Sequence, residues 1–123
     1  MTNYDLEAKK RFSGTEAYKE YEQKTVGYTK EKMQGINDGL MDIFAEFSQC
    51  FKNSNTADSN EAQALVKELQ NYITENYYTC TNQILVGLGQ MYVADEIFKT
   101  NIDKNGNGTA EFVSKAIEHY TNN

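Results

Sequence analysis

The chain has 123 residues, a net charge of -6 and an isoelectric point near 4.8. This length suits one domain with a single packed core, so we expect residues 1–123 to form one unit. An acidic surface repels phosphate backbones, which argues against nucleic-acid binding by this chain alone. No apolar run approaches the ~18 residues of a membrane span, and no signal-peptide core is present, so the sequence predicts a cytoplasmic protein without membrane contact.

The N-terminal region carries little apolar material. Residues 4–11 form at most a short helix, and Thr15 is a typical N-cap for a second one that runs to about Lys24. So little burial cannot offset an ordering cost of about 1–2 kcal/mol per residue. We therefore expect residues 1–27 to be the least stable part of the fold, a mobile lid over a core of residues 28–121.

From residue 28 onward, apolar residues recur at helical spacing and no strand-like alternation appears. The pattern predicts helices over about 30–51, 59–77 and 109–121, with two more between them. The expected N-terminal signals are Thr29, a capping box that starts at Asp58, Thr81 and Asp95. The predicted fold is all-α, with about five main helices and a weakly ordered N-terminal pair.

The segment Asp103 to Ser114 begins like a calcium-binding EF-hand loop. Asp103, Asn105, Asn107, Gly108 and Glu111 fall at loop positions 1, 3, 5, 6 and 9. Position 12 needs a bidentate Glu and holds Ser114 instead. A Gly/Asn turn between helices is therefore favoured, and a Ca²⁺-binding module is kept as an alternative.

Cys80 precedes a helix N-terminus, where a thiolate would be stabilised. An inert apolar role is favoured for it, as for Cys50, and we expect both to be free thiols. A cysteine-dependent enzyme would need His119, the single histidine, within hydrogen-bond reach of Cys80. A surface position is favoured for His119, and without a second histidine or a CxxC motif we expect no metal and no cofactor.

Aromatic residues are numerous, and two glycines interrupt one apolar helix. Gly87 and Gly89 suggest the close approach of another helix or of a ligand. The aromatic side chains are either core or the walls of a cleft for a flat ligand, and composition leaves both open. The set comprises Tyr18, Tyr21, Tyr28, Tyr72, Tyr77, Tyr78, Tyr92 and Phe98.

Three segments, GTEAYKEYEQKTVGYTKE, NYYTCT and GLGQMYVADEIFKTNID, resemble the TipAS antibiotic-recognition domain over about residues 4–120. The resemblance implies a globin-like helical fold without haem. It also implies binding of bulky aromatic antibiotics such as thiopeptides, with albicidin bound by relatives. Members are effector domains of MerR-type transcription activators, whose DNA-binding domain would lie outside this chain, or stand-alone proteins that sequester the drug. Their N-terminal helices are loosely ordered until the ligand arrives.

The sequence departs from this family pattern at three positions. Phe12 and Met33 stand where tryptophans are usual. Members that trap thiopeptides covalently carry a second cysteine seven residues after the first, and here Cys80 is followed at that distance by Gly87. A glycine cannot add to a dehydroalanine, so the sequence predicts reversible binding.

Together these features predict a non-enzymatic receptor for a small molecule. Its cleft is expected between the N-terminal helices and the helices of residues 81–102. Ordering of residues 1–27 on the ligand would be the transduction step. The predicted ligand-binding residues are Tyr18, Tyr28, Tyr77, Tyr78, Cys80, Met91, Tyr92 and Phe98.

Overall fold

The computed structural model describes residues 16–122, and side-chain surroundings from residue 19 onward. This part of the chain is helical and contains no strand, which confirms the all-α prediction. None of its helices combines the length and the apolar character needed to cross a bilayer. The predicted helix over residues 4–11 and the Thr15 cap lie outside the described residues. The helices are α1 (Glu16–Thr25), α2 (Lys30–Lys52), α3 (Asn60–Asn76), α4 (Asn82–Ala94), α5 (Glu96–Asp103) and α6 (Thr109–Thr121).

Side-chain caps set most of the helix starts. Thr29, Thr81 and Asp95 each accept a hydrogen bond from a backbone N–H in the first turn of α2, α4 and α5, as predicted. The capping box led by Asp58 is wrong. The hydroxyl of Ser59 caps α3 instead, accepting from the N–H of Ala62 at 3.2 Å, so the helix begins one residue later than expected.

Helix α6 packs against α2, α3, α4 and α5 and so lies at the centre of the core. Ala110, Val113 and Ala116 are buried on its inner face and leave room for close neighbours. At Gly89 of α4, an added Cβ would lie 3.3 Å from Cγ2 of Ile117. Gly89 therefore serves helix packing, which is one of the two reasons that the sequence suggested for the glycine pair.

The crossing of α2 and α3 depends on another glycine. The hydroxyl of Tyr72 reaches from α3 to the carbonyl oxygen of Ile36 at 2.6 Å, and it passes directly over Gly39. A Cβ at position 39 would overlap this hydroxyl. The absence of a side chain at Gly39 thus allows a hydrogen bond that joins the two helices.

Gly39→Ala is expected to lower the free energy of unfolding by about 1 kcal/mol, although alanine favours helix, because the Tyr72 hydrogen bond must be displaced. Urea denaturation measures this change. In a Tyr72→Phe background the overlapping oxygen is gone, so the same substitution should cost less. An equal cost in both backgrounds would contradict this account.

Candidate ligand-binding site

The junction between α3 and α4 turns two tyrosines into the core. The backbone N–H groups of Tyr77 and Tyr78 both donate to the carbonyl oxygen of Ile73, at 2.8 and 3.1 Å, so the helix ends in a tight turn. Both side chains are fully buried. Below them lies Tyr92 of α4, also fully buried, whose ring meets that of Phe44 edge-on at 5.3 Å. We call Tyr77, Tyr78 and Tyr92 the tyrosine cluster.

The cluster contains polar groups that are held away from water. The hydroxyl of Tyr77 donates to Oδ1 of Asn37, a residue of α2 with an exposed fraction of only 6%. Burial raises the pKa of Tyr92 well above its usual value, and the neighbouring Tyr78, Cys80 and Tyr77 add to the effect. The Tyr92 phenol therefore stays neutral and can serve as a hydrogen-bonding group.

Helix α1 covers this cluster with one aromatic ring. The ring of Tyr21 stacks on Tyr77, with centroids 6.2 Å apart and planes at 17°. The same ring meets Tyr78 at 6.4 Å in a tilted arrangement. Tyr21 itself is half-buried, so a flat side chain separates the cluster from solvent.

Hydrogen bonds at the C-terminal end of α3 hold α1 and the following turn in place. Nζ of Lys24 donates to the carbonyl oxygen of Thr74 at 2.7 Å. The hydroxyl of Tyr28 donates to the backbone carbonyl oxygen of Asn76 at 3.1 Å. Carbonyl groups at this end of a helix lack partners within the helix and attract cations. Lys24 and Tyr28 therefore supply hydrogen-bond donors for carbonyl groups that have no partner within α3.

A carboxylate adds a third attachment. Glu20 accepts hydrogen bonds from the backbone N–H of Thr79 at 2.9 Å and from its hydroxyl at 2.7 Å. These bonds lower the pKa of Glu20, the side-chain bond most. Because the folded-state pKa of Glu20 is lowered, this attachment is fully present above the ordinary carboxyl pKa. It is lost as the pH falls through the lowered, folded-state pKa. The two Glu20 bonds are exposed, so water competes with them, whereas the Lys24 and Tyr28 bonds are partly buried.

The structure brings most of the predicted ligand-binding residues into one region. Tyr77, Tyr78, Cys80, Tyr92 and Phe98 are buried around the cluster, with Tyr92 and Phe98 in ring contact at 5.8 Å. Met91 is buried in the same hydrophobic core, Tyr28 is half-buried beside α3, and Tyr18 lies in α1 with its side chain outside the described surroundings. Tyr77 and Tyr78 lie beneath the Tyr21 ring of α1, and contact of the predicted residues with a ligand remains a prediction.

The prediction from sequence missed two residues of this region. Tyr21 was not selected, although it lies three residues after Tyr18 in the same short helix. Asn37 was also missed, yet its signal is clear. It is the polar member of a stripe on α2 in which Leu40, Phe44 and Phe47 follow at spacings of three, four and three residues. A polar residue inside an apolar stripe indicates a buried hydrogen-bonding role.

Cys80 lacks the properties of a nucleophile. Its exposed fraction is 4%, and burial raises the pKa of its thiol to about 12, so the thiolate is scarce at neutral pH. His119 lies exposed at the end of α6. Asp58 is an acidic neighbour of His119, although the lowered pKa of that carboxyl comes mainly from the hydroxyl of Thr56. The cysteine-enzyme alternative therefore finds no activated thiol here.

Gly87 differs from Gly89 in what surrounds it. A Cβ added at Gly87 would meet no atom of the described residues within 4 Å. Helix packing therefore accounts for Gly89, whereas nothing in the described part of the chain packs against Gly87.

The loop that resembles an EF-hand uses its oxygens within the protein. Oδ1 of Asp103 accepts from the N–H of Ala110 at 2.9 Å and so caps α6. The carbonyl oxygen of Asn105 accepts from Ser48 and from Lys52. Between residues 16 and 122 there is no group of three or more acidic, histidine or cysteine side chains placed to hold a metal ion. The turn interpretation of this loop fits the structure better than the Ca²⁺ alternative.

Comparison with known families settles the classification. The model of the TipAS antibiotic-recognition domain matches residues 4–120. The chain belongs to the TipAS antibiotic-recognition family. Domains of this family bind ligands and are not enzymes.

The chain is similar to transcriptional activators and to a solved TipAS structure. The chain is 34% identical over 114 residues to the HTH-type transcriptional activator TipA of Streptomyces coelicolor, covering 93% of this chain and 45% of that protein. It is 31% identical over 111 residues to the HTH-type transcriptional activator mta of Bacillus subtilis, covering 90% and 42%. The chain thus spans less than half the length of these relatives.

The solved TipAS structure agrees with the fold. It is TipAS from Streptomyces lividans in complex with nosiheptide, described as part of a thiopeptide antibiotic multidrug resistance system. The TM-score is 0.82 at 33% identity, over 96% of this chain and 82% of that one. This likeness confirms the predicted TipAS resemblance and the helical architecture.

Proposed function

We propose that this chain is a reversible receptor for bulky aromatic antibiotics of the thiopeptide class. The ligand enters between α1 and the tyrosine cluster, with residues 16–27 acting as a lid over the core of residues 28–121. Apolar contact comes from the predicted ligand-binding residues, and Tyr21 adds a ring on the lid side. Binding orders the lid on the ligand, which is the step that transmits the signal.

The observation that carries this proposal is the stacking of Tyr21 on Tyr77. A flat ring already lies on Tyr77 at a near-parallel angle of 17°, which supports a binding surface that suits planar aromatic groups. The lid is attached by this ring and by hydrogen bonds of Glu20, Lys24 and Tyr28. Water can replace the exposed bonds of Glu20. Such an attachment can open without disturbing the helices beneath it.

The wider role follows from the relatives. TipA and mta are transcriptional activators, and we infer that this chain serves as the effector part of such a regulator or as a drug-sequestering protein. It would act in the cytoplasm. Its charge of -6 argues that any contact with DNA is made by other parts of a regulator.

Isothermal titration calorimetry with nosiheptide tests the function. We expect one ligand per chain and a rise in Tm that grows with ligand concentration, because the ligand binds the folded state alone. An antibiotic of similar mass without aromatic rings serves as the control and should leave Tm unchanged. Absence of heat and of a Tm shift for nosiheptide and for an albicidin-like compound would contradict the proposal.

A further inference from the structure

Two buried polar atoms of the described core have no hydrogen-bond partner. They are Nδ2 of Asn37 and the hydroxyl oxygen of Tyr92. Asn37 has an exposed fraction of 6% and Tyr92 of 0%, so bulk water does not satisfy either. Folded proteins keep few such groups, since each loses its hydrogen bonds to water without replacement. Leucine at 37 and phenylalanine at 92 would fill similar volumes without this cost.

The two unpaired atoms belong to the same neighbourhood. Oδ1 of Asn37 accepts from the hydroxyl of Tyr77, so the Asn37 amide lies directly beneath the tyrosine cluster. The ring of Tyr92 meets Phe44 at 5.3 Å, and Phe44 lies seven residues after Asn37, two turns along the same buried stripe of α2. The ring of Tyr21 covers Tyr77 and Tyr78 from above. Both atoms therefore belong to the buried core next to α2, and the Asn37 amide lies behind the ring of Tyr77, which Tyr21 of α1 covers.

Their chemistry defines what could satisfy them. The amide nitrogen of Asn37 is a donor only, and the Tyr92 hydroxyl is a donor that can also accept. A group that accepts hydrogen bonds matches both. Amide carbonyl oxygens and azole ring nitrogens are such acceptors, and they are attached to flat, largely apolar frameworks that suit an aromatic surrounding.

We propose that Asn37 and Tyr92 form a polar subsite beneath the lid, which binds a hydrogen-bond acceptor of the ligand, either a carbonyl oxygen or an azole nitrogen. This inference rests on the proposed function and deepens it. The tyrosine rings provide stacking that most flat molecules can satisfy, whereas the subsite distinguishes flat ligands that carry an inward acceptor from those that do not. Reaching the subsite requires the rings of Tyr21 and Tyr77 to move aside.

The test compares two changes that each remove one phenolic oxygen. Tyr92→Phe removes a hydroxyl without a partner, and Tyr72→Phe, the control, removes one bonded to the carbonyl of Ile36. For Tyr92→Phe we expect an unchanged or higher Tm without ligand and a Kd for nosiheptide raised about five- to tenfold. For Tyr72→Phe we expect a lower Tm and a Kd within about twofold of the wild-type value.

A second variant tests the other half of the subsite. Asn37→Leu combined with Tyr77→Phe removes both partners of one hydrogen bond, so no new unpaired group remains. We expect it to fold and to bind nosiheptide about tenfold more weakly. This pair of changes also tests whether the effect belongs to the polar atoms, because the ring at position 77 and the side-chain volume at position 37 are largely kept.

The outcomes separate the two proposals. If the wild-type chain binds nosiheptide and Tyr92→Phe binds it with the same Kd, the subsite proposal is overturned and the proposed function stands. A lower Tm in Tyr92→Phe would also overturn it, because the hydroxyl would then have a structural partner such as an internal water. The Tm measurement needs no ligand. Failure of the wild-type chain to bind nosiheptide would contradict the proposed function, and the subsite with it.

Discussion

Gly87→Cys is expected to turn the reversible receptor into one that captures thiopeptides covalently. The new side chain clashes with none of residues 16–122, since a Cβ at Gly87 meets no atom of these residues within 4 Å. Cysteine also favours helix more than glycine does. A thiolate at this position can add to the terminal carbon of a dehydroalanine in the ligand, forming a C–S bond while the double bond is lost and its α-carbon takes up a proton. Intact-mass spectrometry should show the sum of both masses, because no atom leaves.

The matching control is a cysteine at another open helical glycine. Gly35 of α2 is exposed and likewise has no atom within 4 Å of an added Cβ, so Gly35→Cys gives an accessible thiol of similar reactivity away from α4. We expect an adduct with Gly87→Cys and little with Gly35→Cys under the same conditions. The wild-type chain should give none, because the pKa of Cys80 is raised to about 12. A stable wild-type adduct at Cys80, or equal rates for both variants, would contradict this expectation.

The helix starts could be predicted because their chemistry is local. Thr29, Thr81 and Asp95 each fold back on their own first turn, and no distant residue is needed for that bond. Asp58 failed for an equally local reason. Two adjacent residues can both act as caps, and here the carboxylate of Asp58 accepts from the hydroxyl of Thr56 while Ser59 caps α3.

The arrangement of the site could not be predicted in the same way. Tyr21 meets Tyr77 across a long stretch of sequence, and no spacing rule indicates which ring covers which. Aromatic residues at helical spacing are compatible with either core or cleft, and the structure shows Tyr78 and Tyr92 buried, with Tyr78 in contact with Tyr21 of α1. Asn37 was accessible to sequence reasoning, because a polar residue within an apolar stripe needs a partner.

The family resemblance supplied what spacing could not. The globin-like architecture and the ligand class were expected from the segments around Tyr18, Tyr77 and Met91, and the match over residues 4–120 confirms the family. The same resemblance shows that Gly87 stands where relatives that bind covalently carry a cysteine. Its surroundings, with no atom of the described residues within 4 Å of an added Cβ, are known only from the structure. Motif similarity identifies the domain, whereas burial and unpaired atoms indicate which residues of this chain could meet a ligand.

Tyr21→Ala is expected to open the lid while leaving the core intact. The substitution removes both ring contacts with the tyrosine cluster, each worth about 0.5–1.5 kcal/mol beyond simple burial. The open fraction should therefore rise about tenfold or more. Hydrogen exchange should show loss of protection in α1, with α2 to α6 unchanged. If the ligand enters under the lid, the association rate constant for nosiheptide should rise by a similar factor, because the closed state is no longer the main obstacle.

Helix propensity cannot explain such a result, because alanine is the best helix former and would favour α1. Loss of protection in Tyr21→Ala must then come from the missing ring. Glu22→Ala on the same helix is the control, since Glu22 is exposed and should leave both exchange and association unchanged. Faster exchange in α1 without faster association would mean that the ligand enters elsewhere. In that case the stacking of Tyr21 would be a packing contact of the fold, and the lid would have no part in admitting the drug.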